Sequence, residues 1–347
     1  MTLCSKIRVV YFSLVTFLNI PLLSMIPSDI TKITYPFAAN YLCHHSHQKS
    51  KALTQKVAEH ITKADRQVIN IIMAKKLAAK FIFTTAVAKN ITLADLALIR
   101  QVLAYNPAGA RVLTIAAANN LAAVSDSTRE LLLIRDRGAS KIFTAALAQN
   151  ITTADPALIN KILLHNPMGV RELTLAAASN LAAVPGMTRE FLLTHDVDAA
   201  QIFTSVSAKN ITKINLGVIK QIAYHNSHIA QELTPYVAKD ISEVDADIIE
   251  FIMAHNPRAI ETFSQAAISQ ITKIKYFTAE AIIQLNADAS HEMALAAIPC
   301  VGDINPDVLE LIELHHEPAK DLFVIAKNLA NLPEQKITPQ EPYRLVW

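Results

Sequence analysis

Histidine recurs at one position of four consecutive thirty-residue units, as His165, His195, His225 and His255. An imidazole titrates near neutrality, so such a row could bind anions or respond to pH. The same position holds Lys75, Tyr105 and Arg135 earlier in the chain and His315 or His316 later. A basic or hydrogen-bonding residue in the last turn of a helix also complements the helix dipole and the free carbonyls there, which is the simpler reading. A metal shared along the row is excluded by distance, because stacked helices lie about 8–10 Å apart whereas a Zn–N bond is about 2.1 Å.

Cys43, His44, His45 and His47 form the one metal-like cluster. On a continuous helix Cys43 and His47 would share a face at i and i+4, half of a zinc site, but no second half of comparable spacing follows. The three cysteines, Cys4, Cys43 and Cys300, are odd in number and far apart. They define no disulfide framework and suit a reducing, cytoplasmic compartment; export or delivery into another cell is the alternative. The sequence contains no Gly-x-Ser-x-Gly elbow, no Gly-rich phosphate loop, no His-Glu-x-x-His and no Cys-x-x-Cys. No catalytic residue, cofactor or metal ligand is therefore assigned, and a non-enzymatic protein is expected.

These side chains recur because the chain does. Residues 83–95, FTTAVAKNITLAD, return as LTIAAANNLAAVS from Leu113, FTAALAQNITTAD from Phe143, LTLAAASNLAAVP from Leu173, FTSVSAKNITKIN from Phe203 and LTPYVAKDISEVD from Leu233. A fixed period of this size marks a solenoid, and two columns of capping residues divide each unit into two helices. Helix A is expected to start after Asn106, Asp136, Asn166, Asp196, Asn226, Asn256 and Asn286, with Pro107, Pro167 and Pro257 at its first position. Helix B is expected to start after Asp65, Asp95, Ser125, Asp155, Asn215, Asp245 and Asn305. Small columns at Ala58 to Ala238 and at Gly109 to Ala289 would let helices approach closely. Phe83, Leu113, Phe143, Leu173, Phe203 and Leu233, with Ile99, Val102, Ile159, Ile162, Ile219, Ile222, Ile249 and Ile252, would fill the core. Asn90, Asn120, Asn150, Asn180 and Asn210 end helix A, where their amides would close the turn. The expected fold is all-α: an α/α superhelical solenoid of about ten 30-residue hairpins.

Its expected organisation is an apolar capping hairpin over residues 1–50, regular repeats over 51–303, a degenerate capping repeat over 304–330 and a polar tail over 331–347. The apolar run at residues 7–27 has the alternative reading of a signal or membrane anchor. The phrase Leu173-Thr174 … Ala178-Ser179-Asn180-Leu181 resembles the start of a repeat of transcription-activator-like effectors, helical hairpins in which a variable residue pair reads DNA bases. That resemblance implies hairpin geometry and a nucleic-acid partner. Here the pair is nearly constant, Asn followed by Ile or Leu, so no DNA-reading residues are carried over. Net charge is +2 and no basic column is evident to contact phosphates. A protein or peptide partner is the expectation, with nucleic acid, or a membrane reached through the N-terminus, as alternatives. Arg100, Lys161, Lys220 and Glu250 on helix B are the candidate partner-facing residues.

Overall fold

The computed structural model describes residues 26–330, so all but the last two residues of the apolar run 7–27, and the whole of the tail 331–347, lie outside it. The described residues are all-α, with twenty α-helices of two alternating kinds. The B helices are α1 (Tyr35–His44), α3 (Arg66–Lys75), α5 (Leu96–Tyr105), α7 (Asp126–Arg135), α9 (Pro156–Leu163), α11 (Gly186–His195), α13 (Leu216–His225), α15 (Ala246–His255), α17 (Tyr276–Leu285) and α19 (Pro306–His315). The A helices are α2 (His47–Glu59), α4 (Ala79–Lys89), α6 (Ala110–Ala118), α8 (Ala139–Gln149), α10 (Gly169–Ser179), α12 (Ala199–Lys209), α14 (Ile229–Lys239), α16 (Ala259–Ser269), α18 (Asp288–Ala297) and α20 (Pro318–Ala330).

The chain forms two compact units, Met1–Leu173 and Thr174–Trp347. In the first, α2, α4, α6 and α8 stack in sequence, α1, α3, α5 and α7 do likewise, and each A helix also packs on its neighbouring B helices. In the second, the same pattern links α12, α14, α16, α18 and α20 on one side and α11, α13, α15, α17 and α19 on the other. Each unit is thus a stack of helical hairpins, with the thirty-residue spacing continuing as far as Phe323.

Local chemistry explains the B helices directly. Asp65, Asp95, Ser125, Asp155, Asn215, Asp245 and Asn305 each accept a hydrogen bond from a first-turn amide, and Pro156 and Pro306 begin their helices. The A helices depart from expectation. Asn106, Asp136, Asp196, Asn226, Asn256 and Asn286 are the C-caps of the B helices before them, and the A helices that follow carry no side-chain cap bond in the units described. A tight turn intervenes, as in Gly109 N–H to Asn106 O at 2.9 Å, and displaces the helix start by one to three residues. Asp136, Asp196 and Asn226 cap that turn, each accepting from the amide two residues on.

The core is one column repeated. Leu53, Phe83, Leu113 and Phe143 in the first unit, and Phe203, Leu233, Phe263, Met293 and Phe323 in the second, are all fully buried. Burying each such side chain stabilises by about 1.5–3 kcal/mol. Ala139, Ala199, Ala259 and Ala289 are likewise fully buried, where one helix meets the next. A Cβ on Gly109 would stand 2.7 Å from Thr84 Cγ2, which measures how closely the backbone approaches there.

Candidate interaction surface

Most residues that repeat are engaged inside the stack. Beside most core Phe and Leu residues of the A helices is a buried hydroxyl, among them Thr54, Thr84, Thr114, Thr144, Thr204, Thr234 and Ser264, whereas Phe323 is followed by the exposed Val324. Thr144 Oγ1 donates to Ser140 O at 2.9 Å and accepts from Asn166 Nδ2 at 2.9 Å. The same two-bond arrangement joins Thr84 to Asn106, Thr204 to Asn226, Thr234 to Asn256 and Ser264 to Asn286. Each clamp spans 22 residues and ties an A helix to the turn that opens the next one. Where Asp136 replaces asparagine the clamp is missing: Thr114 Oγ1 and Asp136 Oδ2 are both buried without a hydrogen bond, although Arg111 Nη1 lies 3.6 Å from that carboxylate oxygen.

The asparagines at the end of helix A bond back to their own helix, as in Asn90 Nδ2 to Ala86 O and Asn150 Nδ2 to Ala146 O, both at 2.9 Å. The residues after them, Ile91, Leu121, Ile151, Leu181 and Ile211, are buried. Arg129 and Arg189 brace the same turn in alternate units. Arg129 Nη1 donates to Leu121 O and Val124 O, and Arg189 Nη1 to Leu181 O and Val184 O. Burial pushes the Arg189 guanidinium below its ordinary value.

The histidine row is not uniform. His195 and His255 fold onto their own helices, with Nδ1 2.7 Å from Phe191 O and 2.8 Å from Phe251 O. Their rings lie on the Phe191 and Phe251 rings at centroid distances of 3.9 and 4.2 Å. His225 Nε2 instead meets Glu190 Oε1 at 2.8 Å, while His165 is exposed beside a cleft of about 70 Å³. Burial works to raise the Glu190 carboxyl, but hydrogen bonds from Gln221 and His225 outweigh it and hold the group below its ordinary value. Cys43 and His47 do not share a helix: α1 ends at His44, and Ser46 caps α2. Among the described residues no group of three or more His, Cys, Asp or Glu side chains could hold a metal ion, and no helix is long and apolar enough to cross a membrane.

Arg100, Lys161, Lys220 and Glu250 are all exposed on B helices. In the first unit, Arg100 and Lys161 fall at different repeat positions, and Lys161 Nζ is held by Asp126. In the second unit Lys220 and Glu250 share one position, which continues through Glu280 and Glu310 on α17 and α19.

The side chains that change from unit to unit form an i, i+4, i+8 stripe along the A helices. In the first unit the stripe reads Lys51, Gln55, Glu59 on α2; Phe81, Thr85, Lys89 on α4; Arg111 and Ile115 on α6 with Asn119 as its C-cap; and Lys141, Ala145, Gln149 on α8. All of these are exposed except Ala145, which is half-buried, and the stripe borders a cleft of about 430 Å³ between α2 and α4. No family model, curated protein or solved structure matches the chain. The resemblance to transcription-activator-like effectors thus remains confined to the Leu173–Leu181 phrase, and that phrase places Leu181 in the core.

The stripe corrects one expectation, because its leading position is a short basic row: Lys51, Arg111 and Lys141, with Phe81 between them. Arg111 and Lys141 stand in the first turns of α6 and α8, where the helix dipole disfavours a cation by about 0.3–1 kcal/mol. Helices α14, α16, α18 and α20 follow the dipole rule, with Glu232, Glu261, Asp288 and Asp321 in their first turns. Of the row's cations, Arg111 is met by the Asp136 carboxylate 3.6 Å away.

Proposed function

We propose that the protein is a non-enzymatic interaction scaffold that binds a protein or peptide on the exposed helix faces of its stacked hairpins. One observation carries this reading. The side chains that recur are taken up by the core, the caps and the Asn–Thr clamps, whereas the exposed A-helix stripe differs in every unit. A stack so built can change its outward residues without disturbing its inward ones, which is how repeat proteins acquire binding surfaces. The stripe mixes charge with exposed apolar side chains, Phe81 at 56% and Ile115 at 47%, with Val112 at 46% beside it, as protein-binding patches do.

Affinity capture with the intact chain, after nuclease treatment, tests the reading when run beside the Phe81→Ala/Val112→Ala/Ile115→Ala variant. A reproducible protein partner, cross-linked to the stripe and lost with the variant, is the expected result. Recovery of nucleic acid alone, or of the same proteins by both forms, would overturn it.

A further inference from the structure

The net charge of +2 conceals a segregation along the chain. Met1–Leu173 carries 20 Lys and Arg against 9 Asp and Glu, whereas Thr174–Trp347 carries 12 against 21, so the two units stand at +11 and −9. In the first unit the basic row Lys51, Arg111 and Lys141 is set among exposed apolar side chains: Phe81 within it, and Val112 and Ile115 beside Arg111. In the second unit Glu250, Glu280 and Glu310 hold one position of α15, α17 and α19, the position that Lys220 holds on α13. Phe277, 70% exposed, lies three residues before Glu280, and Leu314, 78% exposed, lies four after Glu310, so both fall on the carboxylate face. The two rows are built on the same thirty-residue repeat, so their charges advance by the same step between stacked helices, about 8–10 Å. In any one alignment two of the three cations, such as Arg111 and Lys141, can therefore face carboxylates of the other row, with Phe81 filling the step between Lys51 and Arg111.

We propose that the chain binds a second copy of itself, the basic A-helix face of one copy's first unit lying on the acidic B-helix face of the other copy's second unit. This rests on reading the exposed helix faces as protein-binding surfaces, and it names a partner whose complementary row is carried by the same chain. A phosphate backbone would match the cations but leave Phe81, Val112 and Ile115 against water. Single exposed ion pairs are weak, so the association depends on the whole row, on its apolar neighbours and on steering by opposite net charges. The contact is heterologous; it gives closed dimers where it meets itself and longer chains where it does not.

Sedimentation velocity of the nuclease-treated full chain, from about 1 to 100 μM, reads this directly. At low salt the species should grow from 38.0 kDa to at least twice that mass with rising concentration, and return to monomer near about 0.5 M NaCl as charges are screened. The K51E/R111E/K141E variant and the E250K/E280K/E310K variant should each stay monomeric alone. Mixed in equal amounts, they should associate again, because the mixture restores opposite charges across the same contact. Circular dichroism checks that each is folded, and K51E/K141E replaces the first triple if loss of the Arg111–Asp136 pair weakens it. A monomer at every concentration, association indifferent to salt, or failure of the mixed variants to associate would overturn the proposal. So would association that disappears with nuclease. A chain that captures a foreign protein through its stripe yet never self-associates would sink this inference alone and leave the scaffold reading standing.

Discussion

Replacing Thr144 by valine keeps the outline of the side chain and removes one oxygen. That oxygen is fully buried and holds two bonds, donating to Ser140 O and accepting from Asn166 Nδ2. The first bond closes within helix α8, so its loss leaves a carbonyl that still has its helical partner. The second is the clamp to the next turn, and its loss strands an amide donor in a half-buried position, which costs about 1–3 kcal/mol. Asn166→Ala removes that donor instead and leaves the hydroxyl bonded to Ser140, so its expected cost is smaller, about 1 kcal/mol. Once either partner is gone the other has nothing to lose across the gap. The double variant should therefore fall short of the sum of the singles by about 1 kcal/mol.

Thr114→Val is the internal control, because Thr114 Oγ1 is buried with no hydrogen bond and faces a unit that has Asp136 in place of asparagine. There the substitution exchanges an unsatisfied hydroxyl for a methyl and should change stability by less than about 0.5 kcal/mol, or improve it. Urea unfolding measures the four free energies, and backbone hydrogen exchange over α8 and α9 detects local opening that a stacked repeat permits. Single costs that add to within about 0.3 kcal/mol, or a Thr114→Val cost equal to that of Thr144→Val, would refute the clamp.

Phe143→Ala empties the fully buried core position of α8 and should destabilise by about 3–5 kcal/mol in urea unfolding, with exchange rising first in the adjoining hairpins. Arg189→Lys should lose about 1–3 kcal/mol despite keeping the charge, since an ammonium cannot reach Leu181 O, Val184 O and Gln221 Oε1 as the guanidinium does. Asp95→Ala should cost about 1 kcal/mol at neutral pH through loss of the α5 cap. The Leu98 amide chiefly holds the Asp95 carboxyl below its ordinary 3.8, despite some opposition from burial. A lowered folded value means the stabilisation is complete above 3.8 and fades as pH falls through the folded value, so parent and variant should converge in acid.

How much of this was legible in the chain depends on how far each side chain reaches. The B-helix caps could be read because Asp95 and its counterparts bond an amide two or three residues away, inside the window a repeat displays. The Asn90 column could be read for the same reason, its partner lying four residues back. The starts of the A helices were misplaced because Asn106 has the right residue type but is separated from its helix by a turn, and its amide is drawn 22 residues back to Thr84. Thr84 itself gave no signal in sequence, since a threonine beside a phenylalanine reads as an ordinary helix position until its partner is known. The basic row escaped for a different reason. Summed over the chain, cations and carboxylates nearly cancel, and a row of one residue per unit, interrupted by Phe81, is visible only when the units are aligned on the helix face they share. Repetition thus explained the inward residues first, because burial and capping impose the same demand on every unit. The outward residues are not bound by that demand. Lys141 in the first turn of α8 runs against the dipole of its helix, whereas Arg111 in the first turn of α6 is met by the Asp136 carboxylate 3.6 Å away.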